Sequence, residues 1–215
     1  MHSIELLLDP ASDAAVRDEW AALGAADLPT QAAHPGGTNA PHVTLAARPL
    51  FDATADDALT EVLHELPLPV DVGPLVVFGA PPRGLVLARL VVATPALLAL
   101  HVAVHRALPT SRHDVRHSTP GHWTPHVTLA NRLTPEQLAR ALEVLADRDA
   151  PPLATAELVE GRRWDPAART ITDLSGRVAP PAPSGVAATE DAAEGATASD
   201  GATATTTATA TADDA

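Results

Sequence analysis

Two periods of hydrophobic and polar positions alternate along this chain, and the switches between them predict its elements. Ile4 to Leu8 is an apolar, strand-like run. Asp9-Pro10 then places an N-cap before a proline at the first helical position, and Val16, Trp20 and Leu23 recur at spacings of four and three. Gly24 is expected to close that helix. His42 to Ala47 predicts a second strand, followed by a helix from Thr54 with Leu59, Val62, Leu63 and Leu66 on one stripe. Val70 to Phe78 and Leu85 to Val92 are β-rich runs separated by Ala80-Pro81-Pro82-Arg83-Gly84, a turn sequence. Thr94-Pro95 starts a helix reaching Leu108, and a polar loop follows. His126 to Asn131 is again strand-like, and Thr134-Pro135-Glu136-Gln137 is a capping box opening a helix with Leu138, Ala141, Leu142 and Leu145. Leu153 to Glu160 and Thr170 to Leu174 are the expected closing strands.

The order is strand, helix, strand, helix, strand, and then the same order again. Pro41-His42-Val43-Thr44-Leu45-Ala46-Ala47-Arg48 and Pro125-His126-Val127-Thr128-Leu129-Ala130-Asn131-Arg132 differ at one position, 84 residues apart, which points to a duplication. On a strand alternate side chains share a face, so His42, Thr44 and Ala46 are expected on one side and Val43 and Leu45 on the other. Imidazole and hydroxyl then stand roughly 6–7 Å apart along the strand, within reach of one tetrahedral group. If two lobes face each other about a pseudo-twofold axis, two histidines and two threonines share a cleft. Such a set suits in-line attack at phosphorus: one histidine takes a proton from the nucleophile, the other protonates the leaving oxygen, and the hydroxyls hold the phosphate.

Composition narrows the alternatives. All 14 basic residues are arginine, against 27 acids, and the formal net charge is −13. The absence of lysine excludes a phosphate-loop lysine, a Schiff base and a lysine-bound nucleotide. The absence of cysteine excludes disulfides, thiol nucleophiles and cysteine-ligated metals. Residues 179–215 are almost wholly Ala, Thr, Pro, Ser, Gly and acid, and are expected to be a disordered acidic tail beyond a bilobal domain at 1–178. Without the tail the balance is still about −7, a sign that does not favour gripping long nucleic acid but leaves a nucleotide or an RNA end open. With no signal-peptide pattern near the start and no membrane-length apolar run, the expectation is a cytoplasmic monomer without membrane contact.

The paired His-x-Thr motifs resemble the 2H phosphoesterase superfamily, and within it the 2′-5′ RNA ligase / RNA 2′,3′-cyclic phosphodiesterase family. The resemblance spans about residues 1 to 178. It implies an α+β fold of two pseudosymmetric lobes, each an antiparallel-rich sheet with flanking helices, and an active cleft between them. It also implies His42 and His126 as the catalytic pair and Thr44 and Thr128 as the phosphate-binding pair. The implied reaction opens 2′,3′-cyclic phosphates at RNA ends or in nucleotides to 2′-phosphates, with no metal or cofactor and with a reversible ligase activity that needs no adenylated lysine.

Further candidates lie outside the motifs. The loop from Ser111 to Trp123 carries Arg112 and Arg116, candidates for phosphates, and Trp123, a candidate for stacking on a base or for anchoring the loop. Arg132, like Arg48, follows its histidine by six residues, about 20 Å if the strand continues, so a neighbouring phosphate or a plain surface role is expected. A nucleotide- or RNA-end-binding module with little turnover is one alternative. A metal-dependent phosphohydrolase using His101, His105, His113 and Asp114 is another, disfavoured because His113-Asp114 falls in a loop.

Overall fold

Both halves of the repeated order are realised: β1 (His2–Leu8), α1 (Pro10–Ala25), β2 (His42–Arg48), α2 (Asp56–Leu63), β3 (Leu68–Gly79), then β4 (Leu85–Val91), α3 (Pro95–Ala107), β5 (His126–Leu133), α4 (Pro135–Ala146) and β6 (Thr155–Asp165), with a short β7 (Thr170–Asp173) added. The computed structural model describes residues 1–33 and 38–176. The expected tail at 179–215 lies outside the described residues. Among those described, no helix is long and apolar enough to cross a membrane.

Local chemistry accounts for the helix boundaries. The Asp9 carboxylate accepts from the Ala11 and Ser12 amides at 3.0 Å, and Thr134 and Gln137 complete the capping box of α4. Gly24 does not close α1. Asp27 takes the left-handed position (φ 56°), its amide donating to the Gly24 carbonyl at 3.0 Å while Leu28 N–H donates to the Leu23 carbonyl at 3.1 Å. These are the two bonds of a Schellman motif, and an aspartate tolerates the conformation that a glycine would adopt more readily. The helix expected from Thr54 begins instead at Asp56, after a 3-10 turn at Ala53–Ala55 capped by the Asp52 carboxylate on the Thr54 amide.

All pairings are antiparallel, in the order β1-β2-β5-β4-β3-β6-β7, and β1 also pairs with β6. Six strands therefore close into a ring, with β7 outside on β6. One half is β2-β1-β6 and the other β5-β4-β3. They join at a single pair, Val43 with Val127, and again where Leu68–Asp71 meets Thr155–Leu158. The halves are not the two sequence repeats, because each takes its third strand from the other repeat. Helices follow the same exchange: α2 packs with α3 beside β6 and β2, and α1 packs with α4 beside β4 and β5.

Each motif strand carries a register shift just beyond its threonine. Glu5 faces Thr44 but Ile4 faces Ala46, and in the other half Ala88 faces Thr128 while Leu87 faces Ala130. A bulge places two residues opposite one and turns the chain over. Ala46 and Ala130 thus join Leu45 and Leu129 in the hydrophobic core, correcting the expectation that Ala46 shares the face of His42 and Thr44.

β6 runs five residues beyond the expected Glu160, through Gly161-Arg162-Arg163-Trp164-Asp165. Gly161 is there for space, since a Cβ would lie 2.5 Å from Cδ1 of the fully buried Leu63. Gly161→Ala is expected to lower stability by about 1–3 kcal/mol, read as a lower urea midpoint at unchanged slope.

Candidate active site

His42 and His126 open their strands on either side of the Val43–Val127 pair, at the narrow join between the sheet halves. Both rings are half-buried, as are Thr44 and Thr128, while the valines and leucines between them are buried in the core. Each imidazole is held in the same way. His42 Nδ1 lies 2.7 Å from the Ala40 carbonyl and His126 Nδ1 lies 2.7 Å from the Thr124 carbonyl. A carbonyl oxygen only accepts, so both Nδ1 atoms carry the proton, and in the neutral ring Nε2 is left as the base. His42 and Thr128, 86 residues apart, line one recess of about 40 Å3 with Trp20, Gln31 and Asn39. It adjoins a cleft of about 170 Å3 lined by Glu5, Gln31, Thr38, Asn39, His42, Arg162 and Trp164. Among the described residues no protein group bonds the Thr44 or Thr128 hydroxyls, which leaves them available to a ligand.

The two histidines have different neighbours. His126 packs against Phe78, ring centroids 4.7 Å apart. Burial holds its imidazole below the usual histidine range, reinforced by the charges of His42 and His117 and opposed by the bond to Thr124. His42 Nε2 lies 3.6 Å from Oε1 of Glu5, a nearly inaccessible carboxylate. Ser3 Oγ donates to Oε1, and Arg162 donates to Oε2 at 2.8 Å while its Nη1 reaches the Thr38 carbonyl at 3.0 Å. Burial works to raise the Glu5 carboxyl, but the charges of His42 and Arg162 and the bonds from Ser3 and Arg162 outweigh it and hold the group below the usual carboxylate range.

Beyond Val43 and Val127 the motif strands part, and their carbonyls find other donors. The Trp123 indole donates to the Thr44 carbonyl at 2.9 Å and the Trp20 indole to the Thr128 carbonyl at 3.0 Å. Trp123 also stacks on His101, centroids 3.9 Å apart. His101 and His105 both direct Nε2 at the Leu45 and Ser118 carbonyls, at 2.8–3.1 Å, and Val115 N–H donates to the Ala47 carbonyl at 3.0 Å. The loop before β5 is thereby stitched to β2.

The same stitching shows where the remaining candidates lie. Asp114 is ion-paired with Arg48 at 2.7 Å, and Arg48 also donates to the Pro109 carbonyl at 3.0 Å and covers Phe51, so this arginine is buried rather than a surface residue. His113 is exposed, and among the described residues no three His, Asp or Glu groups converge as a metal site would require. Arg112 and Arg116 are exposed on the loop. Arg132, also exposed, sits at φ 59° against the backbone of Gly84, near the far end of β5 from His126.

Burial also lowers the His101 imidazole, helped by His105 and opposed by the bonds to the Ser118 and Leu45 carbonyls. A histidine depressed in the folded state is protonated preferentially when unfolded. Its contribution is therefore present above the unfolded value near 6.5 and is lost as pH falls below it. The thermal midpoint is expected to drop between about pH 7 and 5, and less steeply in His101→Gln, as melting curves across that range would reveal.

Sequence reasoning missed Glu5, Ser3, Arg162, Trp164, Gln31, Asn39 and Phe78. One signal was present: Glu5 is the only charge in the apolar run from Ile4 to Leu8.

A family model for the 2′-5′ RNA ligase superfamily matches residues 15–165. The chain belongs to this superfamily. It is thereby a 2H phosphoesterase, with phosphodiester chemistry as its class. No curated protein matches it. Among solved structures, Kluyveromyces marxianus Usb1 aligns over 80% of this chain and 96% of its own at 14% identity and a TM-score of 0.50, a likeness of fold. E. coli LigT, solved with 3′-AMP, aligns over 80% and 92% at 14% identity with a TM-score of 0.42.

Proposed function

We propose that this 2H phosphoesterase opens 2′,3′-cyclic phosphates of RNA ends or nucleotides to 2′-phosphates by metal-independent two-histidine catalysis. The observation that carries it is the shared recess of His42 and Thr128, with both imidazoles pinned through Nδ1 so that Nε2 is the working atom. One Nε2 takes a proton from water as its oxygen attacks phosphorus, and the other protonates the departing 3′-oxygen. The Thr44 and Thr128 hydroxyls donate to the non-bridging oxygens, supplying donors where negative charge grows. With a ribose 5′-hydroxyl in place of water as the nucleophile, the same groups join ends without a nucleotide cofactor.

Incubation with several 2′,3′-cyclic nucleotides, with and without chelator, followed by locating the phosphate in the product, tests this reading. Chelator-insensitive formation of 2′-phosphates supports it. Tight binding without product favours a binding module, and loss of turnover with chelator favours a metal enzyme. Thr44→Val or Thr128→Val is expected to lower kcat/KM by about 10–100-fold, the loss of one hydrogen bond to a charged group, measurable by steady-state kinetics.

A further inference from the structure

The pseudo-twofold axis lets the surroundings of the two histidines be compared position by position. Glu5 faces Thr44 as Ala88 faces Thr128. Arg162 pairs with Glu5 as Val76 pairs with Ala88, and Ser3 stands two residues before Glu5 as Val86 stands before Ala88. The ion pair and hydroxyl beside His42 are thus replaced beside His126 by three aliphatic side chains. The bulge beside each threonine falls at the corresponding place in both halves, so these side chains occupy matching positions.

From this asymmetry we infer that Glu5 is a positioning residue that makes His42 the general acid and leaves His126 as the general base. The inference rests on the function proposed above for its catalytic consequence, although the charge asymmetry itself does not. The charged groups facing His42 are Glu5 on β1, Arg162 on β6 and His126 on β5; those facing His126 are His42 and His117. Arg162 and His42 address different oxygens of the carboxylate: Arg162 donates to Oε2, whereas Oε1 is turned to His42. Arg162 keeps the carboxylate ionised.

In the reaction, His126 Nε2 accepts a proton from water as the water oxygen bonds to phosphorus. The bond from phosphorus to the 3′-oxygen breaks, and that oxygen takes the proton from His42 Nε2. One water is added, and solvent returns the two rings to their starting charges.

Histidine ring titration by NMR in the free protein tests the asymmetry without substrate. His126 is expected to titrate below the ordinary histidine range in the wild type. In Glu5→Gln the His42 midpoint is expected to fall by about one unit or more, as for loss of an adjacent opposite charge, with His126 nearly unmoved. An unmoved His42 in the folded variant would overturn the inference whatever the enzyme's substrate. In kinetics the alkaline limb of kcat/KM is expected to move to lower pH in Glu5→Gln while the acid limb stays. A cyclic substrate with sulfur at the bridging 3′-position, which leaves without a proton, separates the two roles. It should restore turnover to His42→Ala and not to His126→Ala, and the opposite pattern would reverse the assignment. Should Glu5→Gln fail to fold, the sulfur substrate still decides.

Discussion

Replacing His42 or His126 by alanine is expected to lower turnover of a 2′,3′-cyclic nucleotide by about 10²–10⁴-fold each, the usual contribution of a positioned acid or base. The fold should survive, because each half-buried ring makes one hydrogen bond, to the carbonyl of Ala40 or Thr124. KM is expected to change far less than kcat, since the threonine hydroxyls rather than the imidazoles hold the ground-state phosphate. Steady-state kinetics beside a melting curve separate a catalytic loss from an unfolded variant. Near-normal turnover in either folded variant would reject the two-histidine mechanism.

The largest stability effect is expected under α1, away from the cleft. Glu19, nearly inaccessible, accepts from Arg89 Nε at 3.1 Å on both oxygens and from Arg148 Nη1 at 3.2 Å. This one carboxylate ties α1 to β4 and to the segment after α4. Glu19→Ala leaves two guanidinium groups facing each other in a poorly hydrated space, and about 3–5 kcal/mol of unfolding free energy should be lost. The pair Arg140–Glu143 on the surface of α4 provides the control, because an exposed ion pair contributes about 0–1 kcal/mol. Equal losses in Glu19→Ala and Glu143→Ala, measured by chemical denaturation, would show that the buried network contributes little.

Much of the fold was legible from periodicity. The strand starting at His126 and the capping box at Thr134 are local patterns, and they appear where the spacing put them. The errors have local causes of a different kind. Gly24 resembles a helix stop, yet the helix continues through it to Ala25 and Asp27 takes the left-handed turn. Strict alternation puts Ala46 on the face of His42 and Thr44, and a bulge breaks that alternation without any mark in the sequence. The sequence pattern predicts an end to β6 at Glu160 because Gly161, Arg162 and Arg163 interrupt the apolar run. Those residues are allowed there because Leu63 fills the space over Gly161, while Arg162 meets Glu5 and Arg163 meets Asp56.

By itself the amino-acid order determined the alternation of strands and helices, the duplication, and the placing of imidazole and hydroxyl on one face of each motif strand. These are consequences of backbone period and residue type over a few positions. Only the tertiary structure decided that the halves exchange their third strands, that the motifs meet at Val43 and Val127, and that Glu5 and Arg162 stand beside one histidine and aliphatic groups beside the other. Such pairings join residues many tens of positions apart through cross-strand register. Register is settled by the packing of the whole sheet and leaves no local signature to read.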